Sequence, residues 1–157
     1  MELVVDTNKI IATLLRSGKV RAIFYSGIKL VVLRYSIDKI ILNEKLIKRF
    51  GKEFLKKAFE FFVLQNPNVI LIDYSNISEN NRKDAIEIAN KFDPKNAPFI
   101  ALALQLNIPI WTNDKKIIEY SLKSEKYLAF DTQAVEELIQ GKNLEEIKQK
   151  LKERYLN

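Results

Sequence analysis

Five short runs carry apolar residues without alternation: Leu3 to Val5, Leu30 to Leu33, Val69 to Ile72, Ile108 to Trp111 and Tyr127 to Phe130. Stretches of helical spacing lie between them. A strand that is apolar on both faces needs cover on both faces, and helices crossing over between parallel strands provide it. The pattern predicts strands over 2–6, 29–35, 68–73, 108–111 and 127–131. Helices are expected over 7–18, where Ile10, Ile11, Leu14 and Leu15 share a stripe, and over 19–27. Two more follow over 36–51 and 52–66, separated near Gly51, then 78–92, 96–107 and 114–124. The tail, 132–157, reads as two helices hinged at Gly141. The expected fold is therefore α/β, a three-layer α/β/α sandwich around a central parallel sheet of about five strands.

At 157 residues the chain suits one domain, 1–157, with residues 141–157 a candidate peripheral helix carrying Lys148, Lys150, Lys152 and Arg154. No apolar run reaches the roughly 20 residues of a membrane span. The first residues, Met-Glu-Leu-Val-Val, lack a basic segment followed by an apolar one, so the expected compartment is the cytoplasm. Cys and His are both absent. That removes disulfides, thiol nucleophiles, sulfur-bound zinc and imidazole catalysis, leaving carboxylates, hydroxyls, amides and cations for any chemistry. A net charge of +6 favours polyanionic partners such as nucleic acid.

Open α/β sheets bind ligands at the carboxyl ends of their strands. The first strand ends at Asp6, and the fourth runs through Thr112 and Asn113 to Asp114. Either aspartate alone reads equally as a helix N-cap. Two carboxylates at one sheet edge repel each other unless a cation lies between them, and Mg²⁺ takes oxygen ligands from a few carboxylates while keeping several waters. In the helix expected over 36–51, Glu44 falls on the stripe of Ile37, Ile40, Ile41 and Ile47. It either reaches a solvated cleft or a cation, or it snorkels from the stripe's margin. Asp38 is the fallback, its place in the first turn suiting a helix terminus. Asp93 precedes a proline, and Asn96 stands at an N-cap position, either capping or offering a neutral oxygen to a metal.

Taken together, "VVDTN", Glu44, "DPKNAPFIALAL" and "WTND" resemble the PIN domain, in its small single-domain form, across about residues 2 to 132. The resemblance implies a Mg²⁺- or Mn²⁺-dependent ribonuclease with three or four acids gathered at one end of a parallel sheet. It also implies RNA as substrate, with an antitoxin protein and a homodimer as candidate partners. Asp6 matches the first acid, Glu44 the second and Asp114 the acid after the fourth strand; Thr112 matches a hydroxyl two residues before it. Asn96 departs, because the family has a second Asp in a D-P-x-D pattern. Either Asp93 completes the site or the metal is held more weakly.

Phosphodiester hydrolysis needs an activated water, stabilisation of charge on the non-bridging oxygens and help for the leaving oxygen, all of which divalent metals supply without His. On this reading Asp6 and Asp114 ligate the metal, with Glu44 as ligand or proton acceptor. Asn8, Thr112 and Asn113 orient them, and Lys9, Arg16 and Lys115 are candidates for phosphate contact. The alternative is a PIN fold that binds RNA or protein with catalysis weakened at Asn96. A dehalogenase-type phosphotransferase needs an acid where Asn8 stands. A phosphoacceptor receiver would use Asp73 but lacks the paired acids after strand one and the Lys after strand five. With four Gly, none clustered, phosphate-cradling loops are excluded.

Overall fold

The computed structural model describes residues 1–14 and 18–157; Leu15 of the expected stripe and the candidate phosphate contact Arg16 lie outside the described residues. Five strands form one parallel sheet: β1 (Glu2–Val5), β2 (Lys29–Leu33), β3 (Val69–Ile72), β4 (Ile110–Trp111) and β5 (Ala129–Phe130). Their order is β3-β2-β1-β4-β5. The chain builds outward from β1 on one side, then returns to place β4 on β1's other side, so the order reverses at the β1–β4 seam. In open α/β sheets a crevice forms at that switch point. The apolar runs of the inner strands are buried: Leu3, Val4 and Val5 are wholly covered, as are Ile110 and Trp111, whose indole packs on Phe24 at 5.8 Å between ring centroids, whereas β3, at the sheet edge, is only partly covered and exposes Ile70.

The helices are α1 (Thr7–Leu14), α2 (Gly18–Phe24), α3 (Arg34–Ile41), α4 (Glu44–Phe50), α5 (Lys52–Phe59), α6 (Glu79–Ala89), α7 (Ala97–Leu106), α8 (Lys115–Ser124), α9 (Thr132–Ile139) and α10 (Leu144–Tyr155). With the sheet between them they make the expected α/β/α sandwich. Among the described residues, no helix is long and apolar enough to cross a membrane.

The helix expected over 36–51 is two helices, and it begins earlier. β2 ends at Leu33 and α3 starts at once with Arg34. The break falls at Leu42–Asn43, where Asn43 is extended (φ −73°, ψ 115°) and its side chain accepts the Leu46 N–H at 3.1 Å. That is an N-cap, and it outweighs continuation of the apolar stripe. Asp38 consequently lies mid-helix in α3, exposed, rather than in a first turn. The separation near Gly51 is as expected, the residue taking φ +83°, which suits glycine.

The last helix is anchored to the sandwich. Ile147 and Leu151 on α10 are fully buried, and the Arg154 guanidinium donates to both oxygens of Asp131, at 2.8 Å to Oδ1 and 3.0 Å to Oδ2.

Candidate active site

Register brings the first two acids together. Val4 pairs with Ile110 and Val5 with Trp111, so the next residues, Asp6 and Thr112, leave the sheet side by side. The Thr112 hydroxyl donates to Asp6 Oδ2 at 2.7 Å and accepts the Asp114 backbone N–H at 3.0 Å. One buried hydroxyl thus ties both strand ends into a unit. Each aspartate also turns its helix: Asp6 Oδ1 accepts the Asn8 N–H, and Asp114 Oδ1 accepts the N–H groups of Lys116 and Ile117 at the start of α8.

Asp6 is 5% exposed. Its carboxyl titrates above the ordinary 3.8, chiefly because burial disfavours its charge and then because Asp114 repels it; the Thr112 and Asn8 hydrogen bonds and Lys9 pull the other way. Lys9 is held below the ordinary lysine value, first by burial, with Asp6 and Asp131 opposing.

A cavity of about 460 Å³ opens over this pair. Asp6, Asp114, Asp93, Asn96 and Asn8 line it, joined by Tyr35, Lys39, Asn43 and Lys95. Asp93 caps the short 3₁₀ turn Pro94–Asn96 by accepting the Lys95 N–H at 3.0 Å. Asn96 therefore caps nothing: its side chain is buried beside the cavity with its amide Nδ2 unpartnered. The plain N-cap expected of Asn96 passes to Asp93, whose neighbouring proline fixes the turn.

Glu44 is not brought to this cavity. It stands exposed in the first turn of α4, where a carboxylate is favoured by the helix dipole. The inward stripe that placed it assumed one continuous helix; the cap at Asn43 rotates it away and sets Asn43 in the cavity wall instead. The pair of an asparagine that can cap followed at once by an acid was the signal for this break. Lys39 and Lys95 went unnoticed because exposed cations carry no periodic signal.

The other candidates sit around the pair. Lys9 is buried outside the cavity wall, its ammonium donating to Thr132 Oγ1 at 3.2 Å and lying 5.9 Å from the Trp111 ring centroid. Asn113 accepts both the N–H and the hydroxyl of Thr132. Lys115 pairs with Glu119 on α8 at 3.6 Å. Asp73 pairs with Arg34 at 3.0 Å, beyond the cavity.

Among the described residues no three acidic side chains converge into a metal cluster. The donor set nevertheless suits a hard cation. Two adjacent carboxylates, one of them destabilised by the other, lie among amide oxygens with no nitrogen or sulfur ligand, which is the chemistry of Mg²⁺ or Mn²⁺ held by few carboxylates. Thr112→Val keeps the shape but strips the hydroxyl from both strand ends. It is expected to cost about 1–3 kcal/mol of stability, read from urea melts.

The family model described as PIN domain matches residues 4–152, nearly the whole chain. A search of curated proteins finds no match to the chain.

Proposed function

The chain belongs to the PIN domain family, whose members are generally nucleases, and on that premise we propose that it is a divalent-metal-dependent endoribonuclease hydrolysing phosphodiester bonds of RNA. The observation that carries this reading is the meeting of Asp6 and Asp114 through Thr112 at the sheet's switch point, inside a cavity that also bears the cations Lys39 and Lys95. Carboxylates for a cation and cations for a phosphate line one cavity.

Asp6 and Asp114 would hold the metal, which when bound supplies Lewis acidity and a more acidic water. Thr112 fixes the Asp6 carboxylate and the Asp114 backbone, and the Lys116 and Ile117 N–H groups fix the Asp114 carboxylate, so neither has to reorganise when substrate arrives. Asn96 lines the cavity, while its amide Nδ2 is buried behind the wall without a partner. Lys39 and Lys95 neutralise the incoming backbone. A toxin role and an antitoxin partner belong to the same proposal; growth arrest on expression, relieved by Asp6→Asn, tests them.

A second reading is favoured by the two carboxamides. Asn43 and Asn96 occupy cavity-wall positions where carboxylates would strengthen a metal site, and Glu44 faces solvent. On that reading the fold binds RNA and cuts it poorly. Asn96→Asp separates the two. For a working nuclease, wild type cleaves single-stranded RNA in Mn²⁺ and stops on chelation, and the variant lowers the Mn²⁺ requirement about tenfold. If wild type only retards RNA on a gel while the variant cuts it, the second reading stands.

A further inference from the structure

Beside the acidic cavity lies a second one of about 300 Å³ that the proposed chemistry does not use. Its walls are the next residues of the same two chain segments. Lys91 and Phe92 come directly before Asp93, and Lys116 comes two residues after Asp114, with Glu119, Tyr120 and Lys123 further along α8. Consecutive Cα atoms are ~3.8 Å apart, so the second cavity begins within roughly one or two nucleotides of the first.

Its composition is aromatic and mainly cationic, and the acid in its lining, Glu119, pairs with Lys115. Phe92 and Tyr120 are half-buried and pack with ring centroids 5.8 Å apart. Lys91 lies 5.2 Å from the Tyr120 ring centroid and donates to its hydroxyl at 3.0 Å. That bond, first of all, and the nearby Lys126 hold the phenol below its usual range, which marks a positive local potential. Lys91, Lys116, Lys123 and Lys126 are all exposed, and among the described residues none of them enters an ion pair, whereas Lys115 and Lys83 on neighbouring turns do. Core packing does not require this grouping; four lysines outside any ion pair around two accessible rings outnumber Glu119, already paired with Lys115, and leave a positive surface suited to an anion. Aromatic faces take bases, and unpaired lysines take the phosphates between them.

We propose that the cleft lined by Lys91, Phe92, Lys116, Tyr120 and Lys123, with Lys126 adjoining it next to the Tyr127 ring that stacks on Tyr120, is a binding platform for single-stranded RNA, seating the nucleotides that flank the phosphate held over Asp6 and Asp114. The placement beside a cleavage centre rests on the nuclease reading; the binding itself does not. A duplex would bury its bases and leave the rings unused, so the platform selects unpaired RNA.

The test measures anisotropy of a labelled oligouridylate of about 12 nucleotides in chelator, which suspends cleavage. The triple variant Lys91→Gln, Lys123→Gln, Lys126→Gln changes only exposed side chains. It is expected to weaken binding about tenfold or more and to make the slope of log K against log salt shallower by about two. Tyr120→Leu is expected to weaken binding about tenfold with the slope kept. A control triple on α5, Lys52→Gln, Lys56→Gln, Lys57→Gln, removes the same charge and is expected to change affinity less than about twofold. Equal losses in the two triples, unchanged binding in the first, or a duplex of the same length bound as tightly as the single strand would each overturn the platform. Should Tyr120→Leu fail to fold, the contrast between the triples still decides. Binding at the platform without any cutting in Mn²⁺ would sink the nuclease reading and leave the platform. Cutting with a KM that the first triple does not alter would do the reverse.

Discussion

Asp6→Asn is expected to lower metal-dependent RNA cleavage by at least about 100-fold while leaving the fold in place. Groups that merely orient a metal ligand cost about 10–100-fold on removal, and Asp6 is proposed as a ligand itself. The fold is expected to survive because Asp6 works against it near neutrality. Its carboxyl binds a proton more tightly in the native state than in the unfolded one, since burial and Asp114 raise its pKa. Stability therefore falls as pH rises through the unfolded value, about 4, toward the native one, and the full cost persists above it. Asparagine removes that cost while keeping one oxygen for the Asn8 N–H or the Thr112 hydroxyl. The variant's melting temperature at pH 7 is expected no more than about 3 °C below wild type, with the difference shifting against the variant below pH about 4. Cleavage retained by a folded Asp6→Asn protein would remove Asp6 from the chemistry.

Arg154→Ala is expected to destabilise the protein by about 3–5 kcal/mol, lowering the melting temperature by about 6–15 °C. Asp131 caps α9 by accepting the Ala134 N–H at 2.8 Å, and it is 7% exposed. Arg154 covers it with a planar fork, and the Tyr155 hydroxyl donates to it at 2.9 Å. Burial and that hydrogen bond push the Tyr155 phenol up to about 12, which keeps it a neutral donor across the working range. Losing the guanidinium strands a buried carboxylate; Arg154→Lys is expected to recover only part of the loss, because an ammonium cannot donate in the same fork. The next residue, Thr132, holds Asn113 beside Asp114, so the variant is also expected to need more Mn²⁺ for cleavage. A urea midpoint shift worth less than about 1 kcal/mol would show that α10 is not locked through this pair.

Strand positions were legible because strands covered on both faces leave an apolar run, which edge strand β3 keeps although Ile70 is exposed, and Asp6 and Asp114 followed as the polar residues that end two of those runs. Asp93 and Asn96 were legible as a group, since a proline after an acid marks a turn, but which one capped it was not. Both side chains can accept an N–H, and the choice depends on the backbone angle at each position: Asp93 is extended while Asn96 is already helical. The inward placement of Glu44 failed for a related reason. Helical periodicity assigns a face only within one unbroken helix, and a single capping bond at Asn43 ended it. Lys39, Lys95, Phe92 and Tyr120 had no signal at all in one dimension.

By itself the sequence determined the class of fold, the absence of sulfur and imidazole chemistry, and two carboxylates at strand ends, because each of these depends on composition or on local burial. The tertiary structure alone decided that β4 returns to lie against β1. Two strands more than a hundred residues apart in the chain become neighbours through hydrogen bonds that no local pattern encodes, and that pairing sets Thr112 between Asp6 and Asp114.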